Sequence, residues 1–164
     1  MTLPTSRDVT LNPADPFPST LGNKLQDCVI GQKHPAQPRT VGPSSWHPKT
    51  PANATLGAGE WTINNTTMVA DLDWIPAGDR IVSANWSYNP GAVSLDMSLR
   101  RRKFDGTAEE TLFTFTDNTG SAVEQSLQTY NHTVAAGYSY YLQAIGNAAG
   151  GQKLLGATVV TDNL

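Results

Sequence analysis

From Ile81 onward the chain keeps returning to a period of two. Val93, Leu95, Met97 and Leu99 fall on one side of a run whose other side is Ser94, Asp96 and Ser98. That spacing places successive side chains on opposite faces of a strand, one toward a core and one toward water. Ile81 to Asn89 repeats the pattern, and Thr111 to Thr116 sets Phe113 and Phe115 on one face. Leu127 to Thr133 follows, and the two closing runs, Tyr138 to Ile145 and Leu154 to Thr161, are the longest and richest in β-formers. Upstream, Trp61 and Ile63 alternate, as do Met68, Ala70, Leu72 and Trp74. Turn residues separate the runs: Pro76 with Gly78, Asn89-Pro90-Gly91, Asp105-Gly106, and the stretch Gly146 to Gly151. About eight short strands with turns at such intervals predict an all-β fold, a single jelly-roll-like β-sandwich over residues 56–164.

Composition narrows the partners. Charged residues make up only 15% of the chain and the net charge is -3, which gives no nucleic-acid surface. The run Arg100-Arg101-Arg102-Lys103 is the local exception. It reads either as a solvated strand edge that discourages edge-to-edge pairing or as a contact for an acidic partner. Cys28 is the sole cysteine, which excludes an internal disulfide framework and a cysteine zinc cluster. No apolar run approaches the roughly 20 residues that span a bilayer, so no membrane partner is expected. No secretory leader is seen, which points to synthesis in a reducing cytoplasm. The Asn-x-Ser/Thr triplets at Asn53, Asn64, Asn65, Asn85 and Asn131 then follow from an Asn/Thr-rich composition rather than from glycosylation.

Residues 1–55 differ in kind. Nine of the eleven prolines lie between Pro4 and Pro51. Proline fixes φ and removes a backbone donor, so an extended arm is expected in place of ladder strands. Leu3, Leu11, Phe17, Val41 and Trp46 are spaced along it as separate anchors for its own domain or a neighbouring subunit. One short helix is predicted over 19–30: Ser19 or Thr20 can cap it, Leu21, Leu25, Cys28 and Val29 form one stripe, and Gly31 ends it. A helix of about three turns is not stable alone, so Leu21, Leu25 and Val29 must dock on something. Cys28 lies on the same stripe as a small hydrophobe.

Candidate chemistry does not assemble. His34, His47 and His132 share no metal-ligand spacing with one another or with Cys28, and His132 has no Gly-x-Ser-x-Gly partner. Asp71, Asp73 and Asp79 are oxygen ligands of the kind calcium takes, or ordinary acids of a wet face. Glu109 or Glu110 with Asp96 would make a carboxylate pair, with no other sign of a glycosidase. The expectation is no enzyme, no cofactor and no metal. The aromatics Trp74, Trp86, Tyr88, Tyr130, Tyr138, Tyr140 and Tyr141 either fill the core or stand outward to meet sugar rings or a subunit.

Several stretches resemble a known group. Leu3-Pro4-Thr5-Ser6-Arg7, followed by Leu25-Gln26-Asp27 and Ile30, is similar to the start of small proteins encoded by tailed bacteriophages and prophages. Pro76-Ala77-Gly78-Asp79-Arg80-Ile81 resembles the entrance to their β-sandwich, and Leu95 to Arg100, Tyr140-Tyr141-Leu142 and Leu155-Gly156-Ala157-Thr158-Val159 resemble later parts. The resemblance implies a virion component on the particle surface: a head decoration (cement) protein in first place, a tail-appendage domain for host receptors in second. Its partner would be the major capsid protein or another virion protein, its state a homo-oligomer with a trimer in first place. No catalytic residues come with it. A free carbohydrate-binding module is a third reading of the same sandwich.

Overall fold

The computed structural model describes residues 34–91, 93–117, 122–147 and 151–163. The predicted helix over 19–30 and the anchors Leu3, Leu11, Phe17, Leu21, Leu25 and Val29 lie outside them. Eleven strands appear in the described residues: β1 His34–Val41, β2 His47–Pro48, β3 Ala54–Leu56, β4 Trp61–Ile63, β5 Thr67–Asp71 and β6 Arg80–Asn89. The others are β7 Leu95–Lys103, β8 Glu109–Asp117, β9 Glu124–Thr133, β10 Tyr138–Gly146 and β11 Gln152–Asn163. One sheet runs β3-β4-β11-β6-β9 with β1 also on β11; the other runs β2-β5-β10-β7-β8. Their pairings are antiparallel. The expected all-β sandwich is the fold.

The period of two does what the sequence reading requires. Leu95, Met97 and Leu99 of β7, Leu142 and Ala144 of β10, and Ile81, Ala84 and Trp86 of β6 are all fully buried between the sheets. Phe115 of β8 meets Trp86 and Tyr88 edge-on at centroid distances of 6.1 and 6.3 Å, joining the two sheets. The Trp86 Nε1–H donates to the Tyr130 hydroxyl at 3.0 Å, so the indole is buried without losing its hydrogen bond.

The proline-rich stretch is corrected by the structure. Residues 34–56 supply β1, β2 and β3 to the two sheets instead of running as an arm. Val41 and Trp46, expected as anchors for a partner, are 2% and 1% exposed in the sandwich's own core, with Trp46 packed 5.8 Å from Trp86. Proline permits this because β1 pairs only with β11 and β2 only with β5. An edge strand has one row of backbone donors with no ladder to fill, and Pro35, Pro38 and Pro48 occupy such strands. The basic run is corrected as well. It lies within β7, between β8 and β10, and so guards no edge.

One end of the sandwich collects the start of β1, opposite Asn163 of β11, the start of β6, opposite Asp162, and the β7–β10 pair at Lys103 and Tyr138. Arg80 and Asp162 close that end with a bidentate pair at 2.9 and 2.7 Å. We call it the β1 end.

Candidate functional site

Two concave surfaces stand out, one polar and one apolar. The polar one lies on the outer face of the five-stranded sheet. Alternation along β10 turns Tyr141 outward, between Asp71 of β5 and Arg100 of β7. The Tyr141 hydroxyl donates to Glu109 Oε1. Glu109 also pairs with the Arg100 guanidinium at 3.2 Å, and Arg100 Nη1 donates to Gln143 Oε1 at 3.0 Å. The Tyr141 hydroxyl, and then Arg100, hold the Glu109 carboxyl below the usual carboxylate range against the opposing effect of burial. Burial, and then the Glu109 carboxylate, push the Tyr141 phenol up to about 12. Lys49, Asp71, Arg102 and Ser139 complete a shallow groove of about 130 Å³ around this pair. Cations, carboxylates and hydroxyls thus alternate around one aromatic ring, an arrangement that can meet a hydroxylated ligand with both donors and acceptors.

The apolar surface lies at the β1 end. A groove of about 540 Å³ runs between the β5–β6 connection and the β9–β10 turn, with Leu72, Ile75, Pro76, Ala136 and Tyr138 in its walls. Phe104, at the tip of the β7–β8 turn, also borders it and is 74% exposed. Its backbone N–H donates to Gly137 O at 3.1 Å, which holds the tip against the β9–β10 turn. Pro76 is shared with a neighbouring shallow groove that includes Gln37 and Arg39 of β1, where the Arg39 guanidinium sits 4.7 Å over the Trp74 ring.

The catalytic candidates do not come together. In the β7–β8 pairing Glu109 and Glu110 are successive residues and face opposite ways: Glu109 meets Tyr141, while Glu110 pairs with Arg101 at 2.7 Å. Asp96 is engaged elsewhere, by the Thr116 hydroxyl at 2.5 Å and the Asn147 amide at 2.8 Å. Asp73 accepts from the Ser139 hydroxyl at 2.7 Å, whereas Asp79 is buried in the turn before β6 with its carbonyl bound to Val134 N–H. Among the described residues no three His, Cys, Asp or Glu side chains gather to hold a metal ion. His47 sits exposed on edge strand β2. His132 faces inward, with Nε2 3.2 Å from the Tyr140 hydroxyl and its ring edge-on to Phe113, and burial followed by Arg101 lowers its pKa.

The aromatics divide mainly toward the core. Trp86, Tyr88, Tyr130 and Tyr140 are buried, and Tyr138 lies under the Arg101 guanidinium at 4.4 Å. Tyr141 is buried too, at 7% exposure, but faces the outer side of the five-stranded sheet. Sequence reasoning missed Tyr141 as a separate case, although it breaks the alternation of Tyr138 and Tyr140. It also passed over Phe104, whose signal was an aromatic placed directly before the turn residues Asp105-Gly106.

No family model matches the chain, and no curated protein does. Solved sandwiches do. The CBM36-1 domain of a multidomain xylanase from the hindgut metagenome of Trinervitermes trinervoides is 12% identical at a TM-score of 0.48, over 77% of this chain and 96% of that one. A mutant of the family 29 carbohydrate-binding module CBM29-2, complexed with cellulohexaose, is 9% identical at 0.47, over 78% and 92%. The CBM32 of AlyQ in complex with 4,5-unsaturated mannuronic acid is 13% identical at 0.44, over 74% and 97%. Sandwiches alike to this degree serve many unrelated functions.

Proposed function

We propose that the protein is a non-catalytic attachment module: a β-sandwich carried on a tailed-phage virion and held there by the segment that leads into β1. The observation that carries this reading is where the chain joins the body. β1 begins at His34, opposite Asn163, at one end of the sandwich. Residues 1–33 precede that strand in sequence, and they contain Leu3, Leu11, Phe17, Leu21, Leu25 and Val29, six of the eight expected anchors. Ordering such a segment costs roughly 1–2 kcal/mol per residue, and spaced apolar anchors offset that cost only by burial on a partner surface. In this reading the partner is the major capsid protein or another virion protein, with the head surface preferred to a tail appendage, and several copies, three in first place, share the contact.

A second reading is favoured by the polar groove around Tyr141: binding of a glycan on the outer face of the five-stranded sheet. One experiment separates the two. Purified protein is sedimented with phage heads that lack it, and in parallel offered to host cells and soluble glycans. Attachment predicts head binding that survives Lys49→Ala and Arg102→Ala, both exposed changes. Glycan adsorption that is lost in those variants, with no head binding, sinks the attachment reading and supports the second.

A further inference from the structure

We infer that the side of the sandwich bounded by β8 and β9 is the contact between two copies of this chain, joined edge to edge about a two-fold axis. Among the described residues β8 pairs only with β7 and β9 only with β6, so each ends its sheet. An outermost strand presents a row of backbone donors and acceptors, and folded proteins blunt such edges with proline, lysine or very short strands. The far edges of these two sheets are blunted in that way. Pro35 and Pro38 lie in β1, Pro48 lies in β2, and β3 is three residues long. Neither β8 nor β9 holds a Pro, Lys or Arg. Leu127, in the middle of β9, is 66% exposed, and Phe113 of β8 and Val123 just before β9 are exposed as well. One side of the body is guarded against pairing and the other is open to it.

A second copy is the occupant that the strands themselves specify. β8 keeps an unbroken ladder with β7 from Phe113 to Asp117, and a bulge at Leu112 separates that run from Glu109 and Glu110. β9 keeps an unbroken ladder with β6 from Glu124 to Thr129, where a second bulge begins. The two runs lie side by side across the sandwich: Glu124 shares a hydrogen bond with Asp117, and Phe113 packs 5.0 Å from Tyr130. Phe115 and Leu127 fall midway between those contacts on their own strands, so one axis passes both. Antiparallel pairing about that axis sets Leu127 against Leu127 of the partner subunit, and Gln125 against Thr129 of the partner subunit. On β8 it sets Phe115 against its own copy, and Thr114 against Thr116 of the partner subunit. Asp117 then stands opposite Phe113 and Glu124 opposite Tyr130, so no two acids meet across the seam. One contact uses both open edges, and the far edges are blunted, so assembly closes at two copies. This pair differs from the three copies preferred in the attachment reading, on which the inference does not rest.

The test is the mass of the purified full chain, by sedimentation equilibrium over a range of concentrations. Twice the 17.6 kDa of one chain is expected. Leu127→Lys and Leu127→Glu, each alone, set like charges opposite one another and should weaken association at least about tenfold. Mixed in equal amounts, the two variants should pair again, because residue 127 then meets the opposite charge. That rescue is specific to the register, since it requires a residue that faces its own copy. A single-chain mass at every concentration, which would leave these edges to a strand of another protein, would overturn the inference. So would a mass of three copies, undiminished association of both variants, or no recovery on mixing. Loss of pairing on Phe104→Ser, with the Leu127 variants still paired, would move the contact to the β1 end and equally overturn it. If the Leu127 variants do not fold, Gln125→Lys with Thr129→Lys opposes lysines across the same edge, and Gln125→Glu with Thr129→Glu supplies the complement.

Discussion

Gly156 is the residue on which the six-stranded sheet turns. One edge of β11 pairs with β4 at Gln152–Leu154 and with β1 from Ala157 to Asn163, and the change of partner falls at a bulge on Gly156. Its φ is +143°, and a Cβ built there would stand 2.5 Å from the Val41 carbonyl oxygen. Only glycine combines that backbone with so close an approach. Gly156→Ala is expected to destabilise the fold by roughly 1–3 kcal/mol, read as a lower thermal midpoint; an unchanged midpoint would contradict the packing described. A pH effect belongs to this scale too. Burial raises the phenol of Tyr130 to about 12, burial and then Glu109 raise that of Tyr141 to about 12, and burial and then Asp117 raise that of Tyr88 further. A phenol with a raised folded-state pKa contributes its full stability below the ordinary value of about 10 and loses it as pH climbs to the folded value. Stability should therefore hold up to about pH 10 and fall between there and 12, with tyrosinate absorbance from these three rings delayed beyond pH 10 while the protein is folded. Their complete ionisation near pH 10 in folded protein would refute this.

At the level of elements, β4 to β7, β10 and β11 were legible because each shows its core face in the alternation of its own side chains, whereas β9 turns the polar Glu124, Ser126 and Gln128 to its more buried side and leaves Leu127 66% exposed. Leu95, Met97 and Leu99 announce β7 without any help from the rest of the chain. β1 to β3 were not legible, because their places depend on which strand they border and proline masks the pattern. Pro38 opposite Val160 is compatible with a strand only at an edge, and edge position is a property of the assembled sheet. The same reason hid the fate of Val41 and Trp46. The candidate site was less legible still: the apolar groove draws its walls from the β5–β6, β7–β8 and β9–β10 connections, far apart in sequence. One prediction follows for the elements. Residues 34–164 should fold with a cooperative melt, whereas a chain starting at residue 57 should not, since it lacks β1, β2, β3 and the buried Val41 and Trp46. Circular dichroism and thermal denaturation of the two truncations decide it, and a folded 57–164 would contradict the assignment of 34–56 to the body.

At the scale of the whole molecule, the described residues form one β-sandwich whose first strand begins at His34, opposite Asn163. Some charged side chains of the outer faces pair with one another: Arg100 with Glu109, Arg101 with Glu110, Lys153 with Glu60. Exposed ion pairs of this kind add little stability. At the β1 end Phe104 is 74% exposed beside the apolar groove. In the proposed reading, residues 1–33 recognise the particle and residues 34–163 supply the folded body. The most direct measurement is the binding of full-length protein and of residues 34–164 to phage heads that lack it, by sedimentation, after both are shown to be folded. The account predicts that the full chain saturates the heads and that the truncated body stays in solution. Equal binding by the two would contradict it.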